Sequence, residues 1–266
     1  MAQVITFGNF KGGVGKTTSS VMFAYILQEQ GYKTLLVDLD PQANSTSFLA
    51  NTFEVSLNNF VSIYEAMEME DLSKAVLSMS ANLDLLPSAV DLVKFGDLLN
   101  QKNKGHAGNK HYYFDYLLGE LKDNYDFVII DVPPTISENT NNALVASNYS
   151  LIIMQSEPDS LAGAIDFNDY IKGMKQFNPD LEVLGVLPYL VNKRSKIDEY
   201  ILEKSLSEDL NIKDLVFKSH IYERERVKRF RINGITSSNN RDFHDKKTLK
   251  MYEKVVKEFL KRMDEK

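Results

Sequence analysis

The chain has 266 residues, 43% hydrophobic and 26% charged, enough to bury a substantial core and unlike the composition of a disordered segment. It contains no cysteine, which excludes a disulfide framework, a Cys-ligated zinc site, a thiolate-held iron–sulfur cluster and a cysteine nucleophile. The formal net charge of -6, taken as a sum, argues weakly against a nucleic-acid partner.

Residues 1–7 carry no basic region and no long apolar stretch before Asn9, so they read as a strand and not as a signal peptide. No window approaches the ~18 consecutive apolar residues of a membrane-spanning helix. With a mean hydropathy of -0.28 the expectation is a soluble, cytoplasmic protein. Short apolar runs recur at residues 4–7, 34–37, 83–86, 127–130, 151–154 and 183–187, and helical spacing fills stretches between them, as at 17–30, closed by Gly31, and 139–147. Runs apolar on both sides suit strands covered by helices on both faces. The predicted fold is therefore α/β, a doubly wound, mainly parallel sheet flanked by helices. Residues 100–111, with Gly105, Gly108 and three lysines, predict a mobile surface loop. With no repeat and no linker-like stretch, residues 1–266 read as a single domain.

Directly after the first strand comes Lys11-Gly12-Gly13-Val14-Gly15-Lys16-Thr17-Thr18, followed at once by a helical pattern. Strand, glycine-rich loop and helix in that order gather backbone N–H groups and a helix N-terminus around one point, which suits a phosphate chain. As in a Walker A loop, Lys16 would reach the β- and γ-phosphates and the Thr17 hydroxyl would ligate Mg²⁺. The strict pattern G-x-x-x-x-G-K-[ST] fails, because Phe10 stands where its first glycine would be.

The run at 127–130 ends in Asp131, at the carboxyl end of a strand, where a Walker B acid would meet the metal. The second strand runs into Asp38-Leu39-Asp40-Pro41, whose alternation is expected to point both carboxylates the same way. One acid can organise the metal's water shell while the other orients an attacking water; the alternative is a pair of solvated turn residues.

These residues resemble a known family. The loop from Lys11 to Thr18, with an extra lysine five positions before Lys16, resembles the deviant Walker A motif of the ParA/MinD superfamily of P-loop NTPases. Asp38-Leu-Asp40-Pro-Gln-Ala-Asn is similar to switch I of its ParA, Soj-like, partition branch, and Asp131-Val-Pro-Pro to switch II. Further matches are Asn82-Leu-Asp-Leu-Leu-Pro-Ser88, Gln155-Ser-Glu157 and Gly185-Val-Leu-Pro188.

The resemblance implies an Mg²⁺-dependent ATPase whose ATP is sandwiched in a homodimer. Lys11 would reach the partner's phosphates, so that hydrolysis depends on dimerisation as it does with an arginine finger. The nucleotide-binding set is Lys11, Gly12, Gly13, Val14, Gly15, Lys16, Thr17 and Thr18. Asp40 would position the hydrolytic water beside the catalytic Lys11 and Lys16, with Thr17, Asp38 and Asp131 around the metal. For adenine the implied positions are Asn192 and Tyr222, the latter able to stack on the base or to be a core tyrosine.

Between residues 218 and 250 there are ten basic and four acidic residues, so the segment is +6 and the rest of the chain -12. In its densest part Arg224, Arg226, Lys228, Arg229 and Arg231 project outward while Val227 and Phe230 remain for packing. Such a stripe suits phosphate contacts on double-stranded DNA without base readout, and otherwise it is a solvated basic face. In the last helical stretch, 247–263, Tyr252, Val255, Val256, Phe259, Leu260 and Met263 share a face that either packs on the sheet or lies on a membrane; its mixed polar face favours packing.

The combined expectation is a DNA-partition ATPase: a nucleoid-associated ATP dimer that binds DNA non-specifically and is stimulated by a ParB-like centromere-binding partner. The alternative is a membrane-associated positioning ATPase of the MinD type. Tyrosine kinases of the superfamily carry a tyrosine-rich tail, whereas only Tyr252 lies near this C-terminus, and the iron–sulfur relatives need cysteine. No helix-turn-helix region is expected ahead of the first strand.

Overall fold

Among the described residues eight strands form the sheet: β1 (Gln3–Gly8), β2 (Thr34–Asp38), β3 (Leu77–Ser80), β4 (Leu83–Leu86), β5 (Phe127–Asp131), β6 (Tyr149–Gln155), β7 (Glu182–Val191) and β8 (Ile221–Tyr222). The helices are α1 (Lys16–Glu29), α2 (Asn44–Phe53), α3 (Ile63–Glu68), α4 (Phe95–Lys102), α5 (Tyr113–Leu118), α6 (Glu138–Val145), α7 (Pro158–Met174), α8 (Lys196–Ser205), α9 (Glu225–Asn233) and α10 (Phe243–Asp264). The structure is a computed structural model that describes residues 2–102 and 110–266. Its strand order is β3-β4-β2-β5-β1-β6-β7-β8, all parallel except β3, which pairs antiparallel with β4 at one edge.

Strand alternation divides the core into two layers. Ile5, Phe7, Leu36, Ile129, Leu151 and Ile153 face α1, α2 and α10, while Val4, Leu35, Val37, Val128, Ile130, Ile152 and Met154 face the helices on the other side. This double burial makes the runs apolar at most positions, with Thr6, Thr34 and Asp84 the polar exceptions. All six expected strands form, each reaching at least the limits read from the sequence. β3 and β8 are additions: β3 alternates leucine or methionine with serine, and β8 is two residues long.

Helix α1 ends as expected. Gly31 adopts φ 92°, and the N–H groups of Gly31 and Tyr32 bond back to the carbonyls of Gln28 and Leu27 at 3.0 and 3.1 Å, an ending that only a left-handed residue permits. The loop expected at 100–111 is corrected at both of its ends. Residues 100–102 close α4, Lys110–Tyr112 form a 3₁₀ turn, and 103–109, with Gly105, His106 and Gly108, lie outside the described residues.

Helix α10 starts at Phe243, four residues before the expected position, because Asp242 and Asp245 build a capping box there. Leu249, Tyr252, Val255, Val256 and Phe259 are fully buried, and the Phe259 ring packs edge-on against Phe23 of α1. Among the described residues no helix is long and apolar enough to cross a membrane.

Candidate functional site

The loop after β1 takes its shape from its glycines and from what packs beneath it. Gly13 and Gly15 lie at φ 79° and 97°, in the left-handed region. A Cβ on Gly15 would fall 2.1 Å from the Tyr189 ring, so no other residue fits there. Phe10, at the position of the missing first glycine, has no left-handed backbone and turns its ring edge-on to Phe167 and Tyr170 of α7. The strict pattern therefore fails without loss of the loop.

Helix α1 opens with Gly15 as its N-cap, with no side-chain cap and no acid in its first turn, leaving its first N–H groups to an anion. Lys16, 6% exposed, donates from Nζ to the carbonyls of Asn9 (3.0 Å) and Lys11 (3.1 Å). Burial lowers its pKa to about 8 although Asp131 and Asp40 nearby pull the other way. Lys11 is largely exposed, 3.4 Å from the Asp159 carboxylate at the start of α7.

The three acids lie at different depths. Asp38 and Asp131 are register partners on β2 and β5, both fully buried. Asp38 accepts from the Thr46 N–H (2.9 Å) and hydroxyl (2.8 Å) and from the Asp40 N–H (3.1 Å). The Thr46 hydroxyl oxygen in turn accepts the Ser88 N–H. Neither oxygen of Asp131 makes a hydrogen bond of good geometry, although the Thr17 hydroxyl lies close enough to act on its charge.

Burial raises the pKa of both acids. For Asp131 the nearby Asp38 charge adds to the rise, and the Thr17 hydroxyl and Lys16 only partly offset it. Two buried carboxylate oxygens without a well-formed hydrogen bond, near a threonine hydroxyl at the head of α1, form a donor set suited to a hard divalent cation. Asp40 is half-exposed, past the end of β2, and accepts the Gln42 N–H. The two acids differ in depth: Asp38 is buried at the end of β2 and accepts the Asp40 N–H, while Asp40 opens a turn, near enough to Lys16 and Asp131 for its charge to act on both.

Asn192 and Tyr222 come together, because Val191 pairs with Tyr222 across β7 and β8. They line a cavity of about 520 Å³ with Lys193, Arg194, Glu223, Arg224 and Lys247. Tyr222 is half-buried and its ring is covered by the Lys193 ammonium, 4.0 Å from the centroid, so it is not a core tyrosine. The strand end that carries Asn192 is the one whose Tyr189 lies against Gly15.

The five cations of the basic stripe divide. In α9, Val227 and Phe230 are buried and Lys228, Arg229 and Arg231 are exposed, as the spacing predicts. Lys228 lies 3.8 Å from Glu223. Arg226 instead turns toward α10, pairing with Asp242 and with the buried Asp245 at 3.0 Å. Arg224, the N-cap of α9, is half-buried and lines the Asn192–Tyr222 cavity.

Sequence reasoning passed over Asn9, Thr46 and Tyr189. Thr46 has no signal beyond being a small polar residue eight positions after Asp38, and Tyr189 reads as any strand aromatic. Asn9 is a polar residue at the end of an apolar strand directly before the glycine loop, a signal that was available.

Residues 2–183 match the family model described as an AAA domain, ahead of the basic segment. The chain is 31% identical over 208 residues to the chromosome-partitioning ATPase Soj of Treponema pallidum, spanning 77% of this chain and 78% of Soj. A plasmid partition protein of Borrelia burgdorferi bound to AMPPNP superposes with a TM-score of 0.79 at 28% identity, over 98% of this chain and 100% of that one. The cobyrinic acid a,c-diamide synthase of Mycobacterium smegmatis with bound ADP and magnesium gives 0.79 at 27% identity, over 99% and 96%. With a phosphate-loop fold, a loop shaped for an anion and relatives that cover most of its length, the chain belongs to the ParA/Soj family of partition ATPases.

Proposed function

We propose that this chain is a single-domain DNA-partition ATPase, 1–266, in which ATP and Mg²⁺ drive a sandwich homodimer, the dimer holds double-stranded DNA on the nucleoid without sequence preference, and hydrolysis stimulated by a ParB-like partner releases it. The observation that carries this reading is the pairing of an uncapped α1 N-terminus and buried Lys16 with an Asp131 neither of whose oxygens makes a hydrogen bond of good geometry. The N–H groups of Gly12 to Thr18 and the Lys16 ammonium receive the phosphates. Thr17, Asp131 and Asp38, the last already bonded to Thr46, are the residues that would hold Mg²⁺. Bound there, the ion would supply charge neutralisation to the polyphosphate.

Asp40, half-exposed at the mouth of the site, orients the attacking water, and Lys11 extends to the phosphates of the partner. Asn192 and Tyr222 line the adenine pocket. The outward cations Lys228, Arg229 and Arg231, with Arg224, meet DNA phosphates, and Arg226 holds α9 in place. The burial of the apolar face of α10 favours this reading over a MinD-type membrane-associated one, which needs that face free.

The test is DNA retention with ATP, ADP or no nucleotide, for wild type and for Lys16→Ala, Asp40→Ala and Arg229→Ala. Retention is expected only with ATP, falling with salt, persisting in Asp40→Ala and lost in Lys16→Ala. Nucleotide-independent retention, or none at low salt, would sink the reading.

A further inference from the structure

Asn9 is the last polar residue before the glycine loop, and its side chain is 1% exposed. Its amide donates to the carbonyl of Ile153 near the end of β6 (2.8 Å) and to that of Ser160 in the first turn of α7 (3.3 Å). Its Oδ1 accepts the Lys11 backbone N–H at 2.8 Å. The β6–α7 junction meets the loop at two further points: the Gln155 side-chain amide donates to the Gly13 carbonyl at 3.2 Å, and Asp159 faces the Lys11 ammonium. The junction is itself braced, since the Gln155 N–H donates to the Ser160 hydroxyl at 2.9 Å.

Space for Asn9 depends on Gly163 in α7. A Cβ there would stand 2.5 Å from Asn9 Oδ1 and 3.3 Å from the Lys11 backbone nitrogen. A buried amide with both ends satisfied is a rigid strut, and this one fixes the backbone from which an otherwise exposed lysine springs.

We infer that Asn9 is a positioning residue for Lys11: it ties the origin of the lysine to β6 and α7, so that the side chain leaves the loop in the direction the second subunit requires. This rests on the partition-ATPase reading, in which Lys11 works across the dimer. Lys16 is bonded to the backbone carbonyl of Asn9 and not to its side chain, so removal of the amide leaves the primary phosphate contact in place.

The experiment is a double-mutant cycle on the full chain with wild type, Asn9→Ala, Lys11→Ala, the double variant, Gly163→Ala and Lys16→Ala. It reads binding of a fluorescent ATP analogue, ATP-dependent dimerisation by sedimentation, and hydrolysis across protein concentration. Asn9→Ala is expected to lower kcat and dimerisation about tenfold with KM held within about threefold, and the double variant to match Lys11→Ala within about twofold. Gly163→Ala, which leaves Asn9 in the chain but displaces it, is expected to give the same pattern. Losses that multiply in the double variant, or a loss of nucleotide binding in Asn9→Ala as complete as in Lys16→Ala, would overturn the assignment. Failure of wild type to dimerise or hydrolyse with ATP would instead bring down the functional reading, and Asn9 with it.

Discussion

The phosphate loop and the basic helix α9 both serve anions in this reading, yet they are built in opposite ways. In the loop the residues on either side of its exposed tip are determined from several sides: Gly15 lies against Tyr189, Lys16 is buried on two carbonyls, and the Asn9 side chain spans β6, α7 and Lys11. In α9 Val227, Phe230 and Arg226 are fixed, while Arg229 and Arg231 stand in solvent and Lys228 lies over the exposed Glu223. A compact polyphosphate needs backbone N–H groups at set points, which demands particular residues and leaves a motif. A sequence-independent polyanion needs only charge density, which leaves a composition. The family match ends at residue 183, within the part that is fixed by geometry.

The sharpest way to break this contrast is Gly15→Ala. The new Cβ needs a left-handed backbone and space held by Tyr189, so the substitution should cost about 2–4 kcal/mol and abolish nucleotide binding. Lys16→Ala should abolish binding equally while leaving the fold intact, because burial already disfavours the lysine charge. Thermal melts beside fluorescent-nucleotide titrations separate the two. If Gly15→Ala bound nucleotide as wild type does, the loop would not be determined by its backbone.

Next in size is Asp131→Asn. In the nucleotide-free protein the folded pKa of Asp131 lies above its unfolded value, so between the two the folded state binds more protons and stability declines as pH rises. The asparagine variant lacks that decline. It should exceed wild type by about 1–3 kcal/mol at pH 8.5, with the gap closing toward pH 5, while Mg²⁺-dependent hydrolysis falls on the order of a hundredfold. Urea melts at the two pH values check the first part, and a gap independent of pH would refute the buried-charge account.

The same contrast explains what could be read in advance. The six apolar runs and Gly31 were legible because double burial and a left-handed helix end each restrict composition. Asp131 was legible from its position at a strand end. The different depths of Asp38 and Asp40 were not, because strand alternation stops applying where Asp38 ends β2 and its side chain turns back to bond the Asp40 N–H. β8 was not legible because two residues have no period, and Tyr189 was not because nothing local distinguishes an aromatic beneath a loop from one in a core. Nor does helical spacing reveal that Arg226 faces two acids some sixteen and nineteen residues away, since those contacts depend on how α9 meets α10.

Arg226 and Arg229 give the smallest effects and the finest test, since both are arginines on one helix turn with opposite expected roles. Arg226→Ala strands the buried Asp245 and should cost about 1–2 kcal/mol of stability, the pair being partly open to water. Arg229→Ala removes an exposed side chain and should leave the melting temperature unchanged. Its effect belongs in the salt dependence of ATP-dependent DNA retention, where the slope of log affinity against log salt should shrink by about 0.9 for one lost phosphate contact. If Arg226→Ala changed the slope without changing stability, Arg226 would be a DNA contact and its acids a resting place. If Arg229→Ala changed neither, the DNA surface would lie elsewhere on the basic segment, and the charge on α9 would be a solvated face.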